Sequence, residues 1–294
     1  MNILLAGQNG IIGSFLYEEL KSENEIIGIG KGKFNSLNYI DLDLLNRERL
    51  NEFVKEIEYF DVLIFLVGLA HVKGKIQDYP VFKKVNYLTL FNLLETLKLF
   101  NKLPAKIIFS STISVYGEKL NQNIYSENDA LWPNSPYAKT KILAEQYLLK
   151  NYKDISWLLR FAPVYSENFN LNIDRRTLIS DRHYKVGNGQ NKLSLLNIKN
   201  ILLTIKEILN NNIPPNIYNL ADNKTYSYID LLNYSNATKT INIPRIVPKL
   251  AYLIGKMTKN IFLQENSIKL LTDNIYSTER IKYYISLPCS LSSK

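Results

Sequence analysis

Met1-Asn2-Ile3-Leu4-Leu5-Ala6-Gly7-Gln8-Asn9-Gly10-Ile11-Ile12-Gly13 opens the chain with an apolar run, three glycines and the start of a helical pattern. The continuous apolar character of residues 3–6 predicts a buried strand, and the apolar spacing over 12–20 predicts a helix. Glycines between the two permit a tight turn and let backbone N–H groups approach an anion at the helix N-terminus. Gly7, Gly10, Ile11, Ile12 and Gly13 are therefore candidate contacts for the pyrophosphate of a dinucleotide, the alternative being a bare strand-to-helix turn. The opening lacks the basic segment of a secretory leader and reads as a first strand.

Outward from this stretch, short apolar runs alternate with helical patterns. Strands are predicted at 25–29, 62–67, 106–110 and 157–161, and helices at 47–57, 81–100 and 135–151. Such βαβα alternation predicts an α/β fold of the Rossmann type, a doubly wound parallel sheet covered on both faces. After residue 165 the pattern changes. Residues 166–191 are polar and Asn-rich and include Gly187-Asn188-Gly189; helical patterns return at 198–209, 228–234 and 248–257. Residues 1–165 read as an NAD(P)-binding Rossmann domain. Residues 166–294 read mainly as a smaller α/β substrate lobe, interleaved with the first sheet and not folding independently. In the helix at 248–257, Lys249, Lys256 and Lys259 flank Leu250, Tyr252, Leu253 and Ile254, a composition that suits a membrane surface. The expected reading is nonetheless a packed helix of the smaller lobe.

Composition bounds the function. A chain of 294 residues with 46% hydrophobic and 21% charged residues is not a disordered one. A single cysteine, Cys289, excludes an internal disulfide and a thiolate metal centre, and two histidines, His71 and His183, argue against a zinc site. No metal is expected, and the cysteine usage suits a reducing, cytoplasmic compartment. The net charge of +9 comes from scattered lysines, which fits compositional bias and an anionic small substrate better than nucleic acid. No segment approaches the roughly 18–20 apolar residues of a membrane span, so no stable membrane insertion is expected.

Two further motifs suggest chemistry. After the second strand stands Gly30-Lys31-Gly32-Lys33. An acid at this place would bond a ribose 2′-hydroxyl, whereas a base would accept a 2′-phosphate. Lys31 and Lys33 are candidate phosphate contacts, which leans the cofactor toward NADP over NAD; a solvated basic turn is the alternative. Tyr137-Ala138-Lys139-Thr140-Lys141 is Y-x-x-x-K at the head of a predicted helix, and the spacing of four puts Tyr137 and Lys141 on one face. A free tyrosine, with a pKa of about 10, is a poor base at neutrality. A nearby ammonium favours the phenolate, and lowering the pKa by about two to three units needs roughly 3–4 kcal/mol of differential stabilisation. In a chain with 20 tyrosines the motif alone is weak. Upstream, a strand ends in Phe109-Ser110-Ser111-Thr112-Ile113-Ser114-Val115-Tyr116-Gly117.

The glycine triplet, this strand end and the Tyr137/Lys141 pair together resemble the extended short-chain dehydrogenase/reductases, and more narrowly the nucleotide-sugar epimerase/dehydratase family. The resemblance runs along nearly the whole chain. Asp43-Leu44 is similar to the family's adenine contact, and Val67-Gly68 stands where the family turns beneath the cofactor. Asn86 resembles its structural helix asparagine. Leu159-Arg160-Phe161-Ala162-Pro163-Val164-Tyr165 resembles the segment lining the nicotinamide. The resemblance implies that Tyr137 is the general acid/base, that Lys141 bonds the nicotinamide ribose and depresses the tyrosine pKa, and that Thr112 bonds the sugar oxygen. It also implies that Ser110, Val67, Gly68, Pro163 and Val164 line the cofactor, and that hydride passes between the nicotinamide and a sugar carbon, usually C4.

Departures narrow the choice. The family's 4,6-dehydratases follow the catalytic threonine with Asp-Glu, where this chain has Ile113-Ser114. Many 4-epimerases carry an asparagine where Pro163 stands, and an arginine where Leu193 stands with Lys192 beside it. Arg175 and Arg176, with Lys192, then become the candidates for the substrate diphosphate; a solvated basic pair is the alternative reading. These features suit either a 4-keto-sugar reductase or a 4-epimerase of a nucleotide-diphosphate sugar, in surface-polysaccharide precursor synthesis. The rival from another class is a non-catalytic, dinucleotide-binding regulatory Rossmann protein. His71 reads as structural or exposed, with substrate contact the alternative, and Cys289 is not a credible nucleophile. The resemblance further implies a homodimer through the helices at 81–100 and 135–151.

Overall fold

The computed structural model describes residues 1–70 and 78–291. In chain order the first elements are β1 (Asn2–Ala6), α1 (Ile11–Leu20), β2 (Glu25–Gly30), β3 (Tyr39–Asp41), α2 (Arg47–Glu56) and β4 (Val62–Phe65). Next come α3 (Tyr79–Lys83), α4 (Thr89–Leu99), β5 (Lys106–Thr112), β6 (Ile124–Tyr125), α5 (Pro136–Asn151) and β7 (Ser156–Phe161). They are followed by β8 (Val164–Tyr165), α6 (Leu171–Thr177), β9 (Leu178–Ile179), β10 (Arg182–Val186), β11 (Lys192–Leu193), β12 (Leu196–Asn197) and α7 (Ile198–Leu209). The remainder is β13 (Ile217–Leu220), β14 (Tyr226–Ser227), α8 (Tyr228–Tyr234), β15 (Thr240–Ile243), α9 (Ile246–Met257), α10 (Ile261–Leu271), β16 (Ile275–Tyr276) and α11 (Glu279–Lys282).

Two compact units share the chain. The first comprises Met1–Thr112, Ser135–Leu159 and Pro214–Ile217; the second comprises Ile113–Asn134, Arg160–Ile213 and Tyr218–Lys294. Residues 113–134 and 160–165 of the second unit thus come from the N-terminal side of residue 165.

The main sheet has the strand order β13-β7-β5-β4-β1-β2-β3. The β1–β2, β1–β4, β2–β3 and β4–β5 pairs are parallel, with Leu4 opposite both Ile27 and Leu63, and Ile64 opposite Ile108. Strands step outward from β1 in both directions, which is the doubly wound order the sequence predicts. Alternate residues of the central strands share one face: Leu4 and Ala6, Leu63 and Phe65, Ile107 and Phe109 enter one core with Leu50 and Val54 of α2, Leu90, Leu93 and Leu97 of α4, and Ala144 and Leu148 of α5. Caps set the helix starts. The Asn46 side chain accepts the Arg49 N–H, and Ser135 accepts the Ala138 N–H with Pro136 in the first turn.

Two local differences from the sequence reading have physical causes. The single helix expected at 81–100 is interrupted by a π-helical turn at Lys84–Leu88. Asn86 lies in this turn, whose i→i+5 bonding takes in an extra residue, and is fully buried. There its Oδ1 accepts the Leu69 N–H at 2.6 Å, and its Nδ2 donates to Leu69 O and to Thr140 Oγ1 at 3.2 and 3.0 Å. The short strand β3 has no continuous apolar run and is recognisable only by its pairing with β2.

The second unit carries small sheets: β15-β10-β9, β11-β14, β12-β8 and β16-β6. Two buried polar networks order it. Asp222 is buried, and its carboxylate accepts bonds from the hydroxyls of Tyr165 and Tyr226 at 2.7 and 2.8 Å, from the Asn197 N–H at 2.7 Å and from Asn200 Nδ2 at 2.8 Å. Asn200 and Tyr226 in turn pin the C-terminal segment, bonding the backbone of Cys289 and the N–H of Leu291. In the second network the buried Arg160 donates to the Tyr116 hydroxyl at 2.8 Å, which donates to Asn219 Oδ1 at 2.7 Å. The Tyr116 ring lies in a cluster with Tyr125 and Tyr276, with centroids 5.4–5.9 Å apart.

One expectation is corrected. The helix at 248–257 packs on one side only: Pro248 and Gly255 are buried there and Ala251 and Tyr252 partly so, while Leu250, Leu253, Ile254 and Met257 face solvent.

Replacing Tyr116 by Phe keeps the ring cluster but deprives Arg160 of an acceptor and Asn219 of a donor. Tyr116→Phe should lower the unfolding free energy by about 1–3 kcal/mol, read as a lower urea midpoint at an unchanged m-value.

Candidate active site

The first unit holds the glycine turn. Gly7 has φ +91°, a left-handed conformation that favours glycine. Its N–H bonds Ile29 O at 2.7 Å, tying the turn to β2. A Cβ on Gly13 would stand 2.1 Å from Gly7 O and 2.7 Å from Gln8 Cα, so only hydrogen fits there. The first intrahelical bond runs from Ser14 N to Gly10 O at 2.8 Å, and Gly10 offers no capping side chain. The N–H groups of Ile11, Ile12 and Gly13 therefore precede the helical ladder and point from a helix N-terminus, a donor set that suits a pyrophosphate.

The two residues inside the motif do work that the sequence reading did not assign to them. Gln8 is fully buried, and a Cβ on Gly28 would overlap its side-chain amide. A Cβ on Gly30 would stand 2.6 Å from Asn9 Oδ1, and Asn9 Nδ2 donates to Lys31 O at 3.0 Å. The glycines of Ile27-Gly28-Ile29-Gly30 thus make room for the motif's own side chains. The signal was their alternation with isoleucine in a buried strand, where glycine marks a close approach.

Beyond β2 the basic loop is tied down. Asp41 at the end of β3 accepts the Gly32 N–H at 2.8 Å, and the Tyr39 hydroxyl donates to Gly32 O at 2.8 Å. Lys31 forms an ion pair with Asp43 at 2.7 Å; this contact raises the lysine pKa and is the main cause that lowers the aspartate's. The candidate phosphate ligand and the candidate adenine contact are thus paired with one another. Lys33 is exposed on the same loop, and Leu44 is buried.

At the end of β5 the structure brings the expected acid–base residues together. The hydroxyls of Thr112 and Tyr137 share a hydrogen bond. One turn along α5, the buried Lys141 donates from Nζ to Ser110 O at 2.8 Å and to Val67 O at 3.5 Å, with Nζ 4.7 Å from the Phe109 ring centroid. Gly68 lies against it, where a Cβ would stand 3.2 Å from Nζ. Ser110 Oγ donates to Phe65 O at 3.2 Å, and Ser111 donates to Glu145, one turn beyond Lys141.

Burial moves the two titratable groups in opposite directions, because in each case it disfavours the charged form. It pulls Lys141 down to about 7, against the attraction of Glu145. It pushes Tyr137 up to about 12, while the Thr112 bond pulls it part-way back. The sequence reading expected a lowered phenol. Here burial outweighs the Thr112 bond, and Lys141 Nζ is bonded to backbone carbonyls.

The other expected residues lie in the second unit. Val164 is buried in β8, and Pro163 O accepts the Leu196 N–H at 3.1 Å. Arg175 and Arg176 are separated by the helix they share. Arg175 is exposed, whereas the Arg176 guanidinium is enclosed, its Nη1 donating to Asn172 O at 2.7 Å; burial lowers its pKa among Tyr228, Tyr276, Glu118 and Tyr184. Glu118, buried beside it, pairs with Lys269 at 2.8 Å. Lys192 is exposed on β11. His71 lies outside the described residues.

A model of the NAD dependent epimerase/dehydratase family matches residues 3–221. The chain belongs to that family. The resemblance to the extended short-chain dehydrogenase/reductases read from the motifs is thereby borne out. A Bacillus subtilis relative described as an uncharacterized UDP-glucose epimerase is 34% identical over 186 residues, covering 56% of this chain and 57% of that protein. The chain spans about half the length of the curated family relatives it matches. Among solved structures, a Thermotoga maritima UDP-glucose 4-epimerase with UDP-glucose superposes with a TM-score of 0.71 at 19% identity, over 96% of this chain and 92% of that one. A Bacillus cereus UDP-glucuronic acid 4-epimerase in complex with NAD gives 0.66 at 24% identity, over 83% and 86%. At these identities the family structures establish a shared fold.

The geometry separates two glycine substitutions. Gly13→Ala meets backbone and should cost about 1–3 kcal/mol, several degrees in Tm. Gly10→Ala, whose Cβ would meet Gly7 O only at 3.4 Å, should keep its Tm and lose dinucleotide affinity, measured by titration calorimetry. The buried lysine sets a pH dependence. Its pKa is near 7 folded and about 10.4 unfolded, so over that interval the unfolded chain holds the extra proton. Folding stability relative to Lys141→Met should therefore rise with pH between about 7 and 10, by up to about 1.4 kcal/mol per pH unit, and flatten below 7.

Proposed function

We propose that the protein is an NAD(P)-dependent oxidoreductase that acts at C4 of a nucleotide-diphosphate sugar, and that its net reaction is 4-epimerisation. The observation that carries this reading is the Thr112–Tyr137 hydrogen bond at the end of β5, with Lys141 one turn along the same helix. The glycine turn with its unladdered N–H groups, in the same unit, is the cofactor's binding element. Bound nicotinamide supplies the hydride acceptor and donor. Tyr137 takes the proton of the C4 hydroxyl and returns it to the C4 oxygen, while Thr112 holds that oxygen in place. Lys141, when protonated, favours the phenolate of Tyr137. In the second unit Arg176 is our candidate for the substrate diphosphate, and its exposed neighbour Arg175 is not. Ile113-Ser114, where the family's dehydratases carry Asp-Glu, argues against water elimination. The printed activities of the relatives favour epimerisation of a UDP-hexose. We further propose that the reaction is cytoplasmic and feeds surface-polysaccharide precursor synthesis.

The second reading is a 4-keto-sugar reductase using NADPH, which the basic loop of Lys31 and Lys33 favours. The pairing of Lys31 with Asp43 weighs against it.

Denaturing the freshly purified protein and identifying any released dinucleotide discriminates the two. Near-stoichiometric NAD is the expected result, since an epimerase regenerates its cofactor within each turnover. Protein that arrives empty and binds NADPH better than NADH would select the reductase. Tyr137→Phe should lose turnover by at least about a hundredfold while keeping dinucleotide affinity. Turnover unchanged in that variant would contradict the role given to Tyr137, and dinucleotide binding with no turnover in the wild type would leave the non-catalytic regulatory reading.

A further inference from the structure

The hairpin of α9 and α10 presents a large apolar surface to solvent. In α9, Ile246, Val247, Leu250, Leu253, Ile254 and Met257 recur at helical spacing, and at about 100° per residue they fall within an arc of roughly 120°. All are about half exposed or more, from 49% at Val247 to 84% at Met257. At the turn, Phe262 of α10 extends the surface at 68% exposed. The opposite side of α9 carries Pro248, Ala251 and Gly255, and α10 packs there: Gln264 Nε2 donates to Gly255 O at 2.9 Å, and a Cβ on Gly255 would stand 3.1 Å from Gln264 N. The helix therefore packs through Pro248, Ala251, Gly255 and the partly buried Tyr252, and turns its large aliphatic residues outward. Apolar patches of this kind mark interaction sites.

The charge of the segment indicates the partner. From 244 to 264 the sequence has Arg245, Lys249, Lys256 and Lys259 and not one Asp or Glu. Lys249 and Lys256 lie along one edge of the apolar stripe, and Lys259 stands at the turn between the helices. Two such faces docked on each other would oppose like charges, so a second copy of the chain is the poorer occupant. No helix among the described residues is long and apolar enough to cross a membrane. We infer that the α9–α10 hairpin is a peripheral docking surface for an anionic phospholipid bilayer. Leu250, Leu253, Ile254 and Met257 enter the headgroup boundary, and Lys249, Lys256 and Lys259 bind the lipid phosphates.

The test is co-sedimentation of the full chain with vesicles, read beside its oligomeric state by light scattering. The protein should pellet with equimolar phosphatidylglycerol and phosphatidylcholine vesicles, and not with phosphatidylcholine alone. Raising the salt should weaken the binding. Lys249→Glu with Lys256→Glu should weaken it at least roughly thirtyfold, as expected for two lysines at an anionic surface. Leu253→Glu with Ile254→Glu should abolish it. Both variants alter exposed positions only, so the thermal unfolding and dinucleotide binding of the wild type should persist. Failure of the wild type to pellet with the anionic vesicles would overturn the proposal. So would pelleting that ignores both pairs of substitutions, or a wild-type dimer that Leu253→Glu dissociates in the absence of vesicle binding.

Discussion

Between the Gly7 carbonyl and the α-carbon of Gly13 there is room for a hydrogen atom and nothing larger. That approach sets the start of α1 directly against the end of β1, and much of the first unit's chemistry follows from it. It aims the first N–H groups of α1 out of the turn, where no side chain caps them. It also folds the turn over β2, so that Gln8 and Asn9 lie across Gly28 and Gly30 and Asn9 reaches the carbonyl of Lys31. The loop past β2, where nicotinamide enzymes discriminate between cofactors, is thus positioned partly from within the glycine motif itself.

The interior of the same unit places a lysine and a tyrosine under opposed demands. Each would rather be neutral there. Lys141 is kept by two carbonyls and by the attraction of Glu145, and Tyr137 by the hydroxyl of Thr112. The lowered lysine and the raised phenol have one cause, since burial disfavours the charged form of each. The π-helical turn belongs to this arrangement as well. It buries Asn86, which holds the Leu69 backbone and the Thr140 hydroxyl, immediately beside Gly68 and Lys141.

The second unit is ordered by polar groups whose bonding is met inside the protein. Asp222 accepts four hydrogen bonds, two of them from tyrosines that reach it from β8 and β14. A carboxylate so placed specifies which strands meet, since a misplaced strand would leave it unpaired in the interior. The hairpin of α9 and α10 follows the contrary logic, burying Pro248 and Gly255 and leaving a stripe of large aliphatic residues exposed.

Much of the fold was legible in the sequence because its signals are local. Apolar runs and helical spacing located β1, β2, β4, β5 and β7 with the helices between them. The glycine triplet, the strand end at Thr112 and the spacing of Tyr137 and Lys141 marked the candidate site before any contact was known. What only the tertiary structure decided is a matter of neighbours distant in the chain. The pairing of Lys31 with Asp43, whether Arg175 or Arg176 turns inward, and which way burial moves Tyr137 all depend on groups that sequence spacing does not bring to view. The break at Asn86 and the outward face of α9 have the same cause: periodicity gives a helix its stripe, and only packing decides whether that stripe meets protein or solvent.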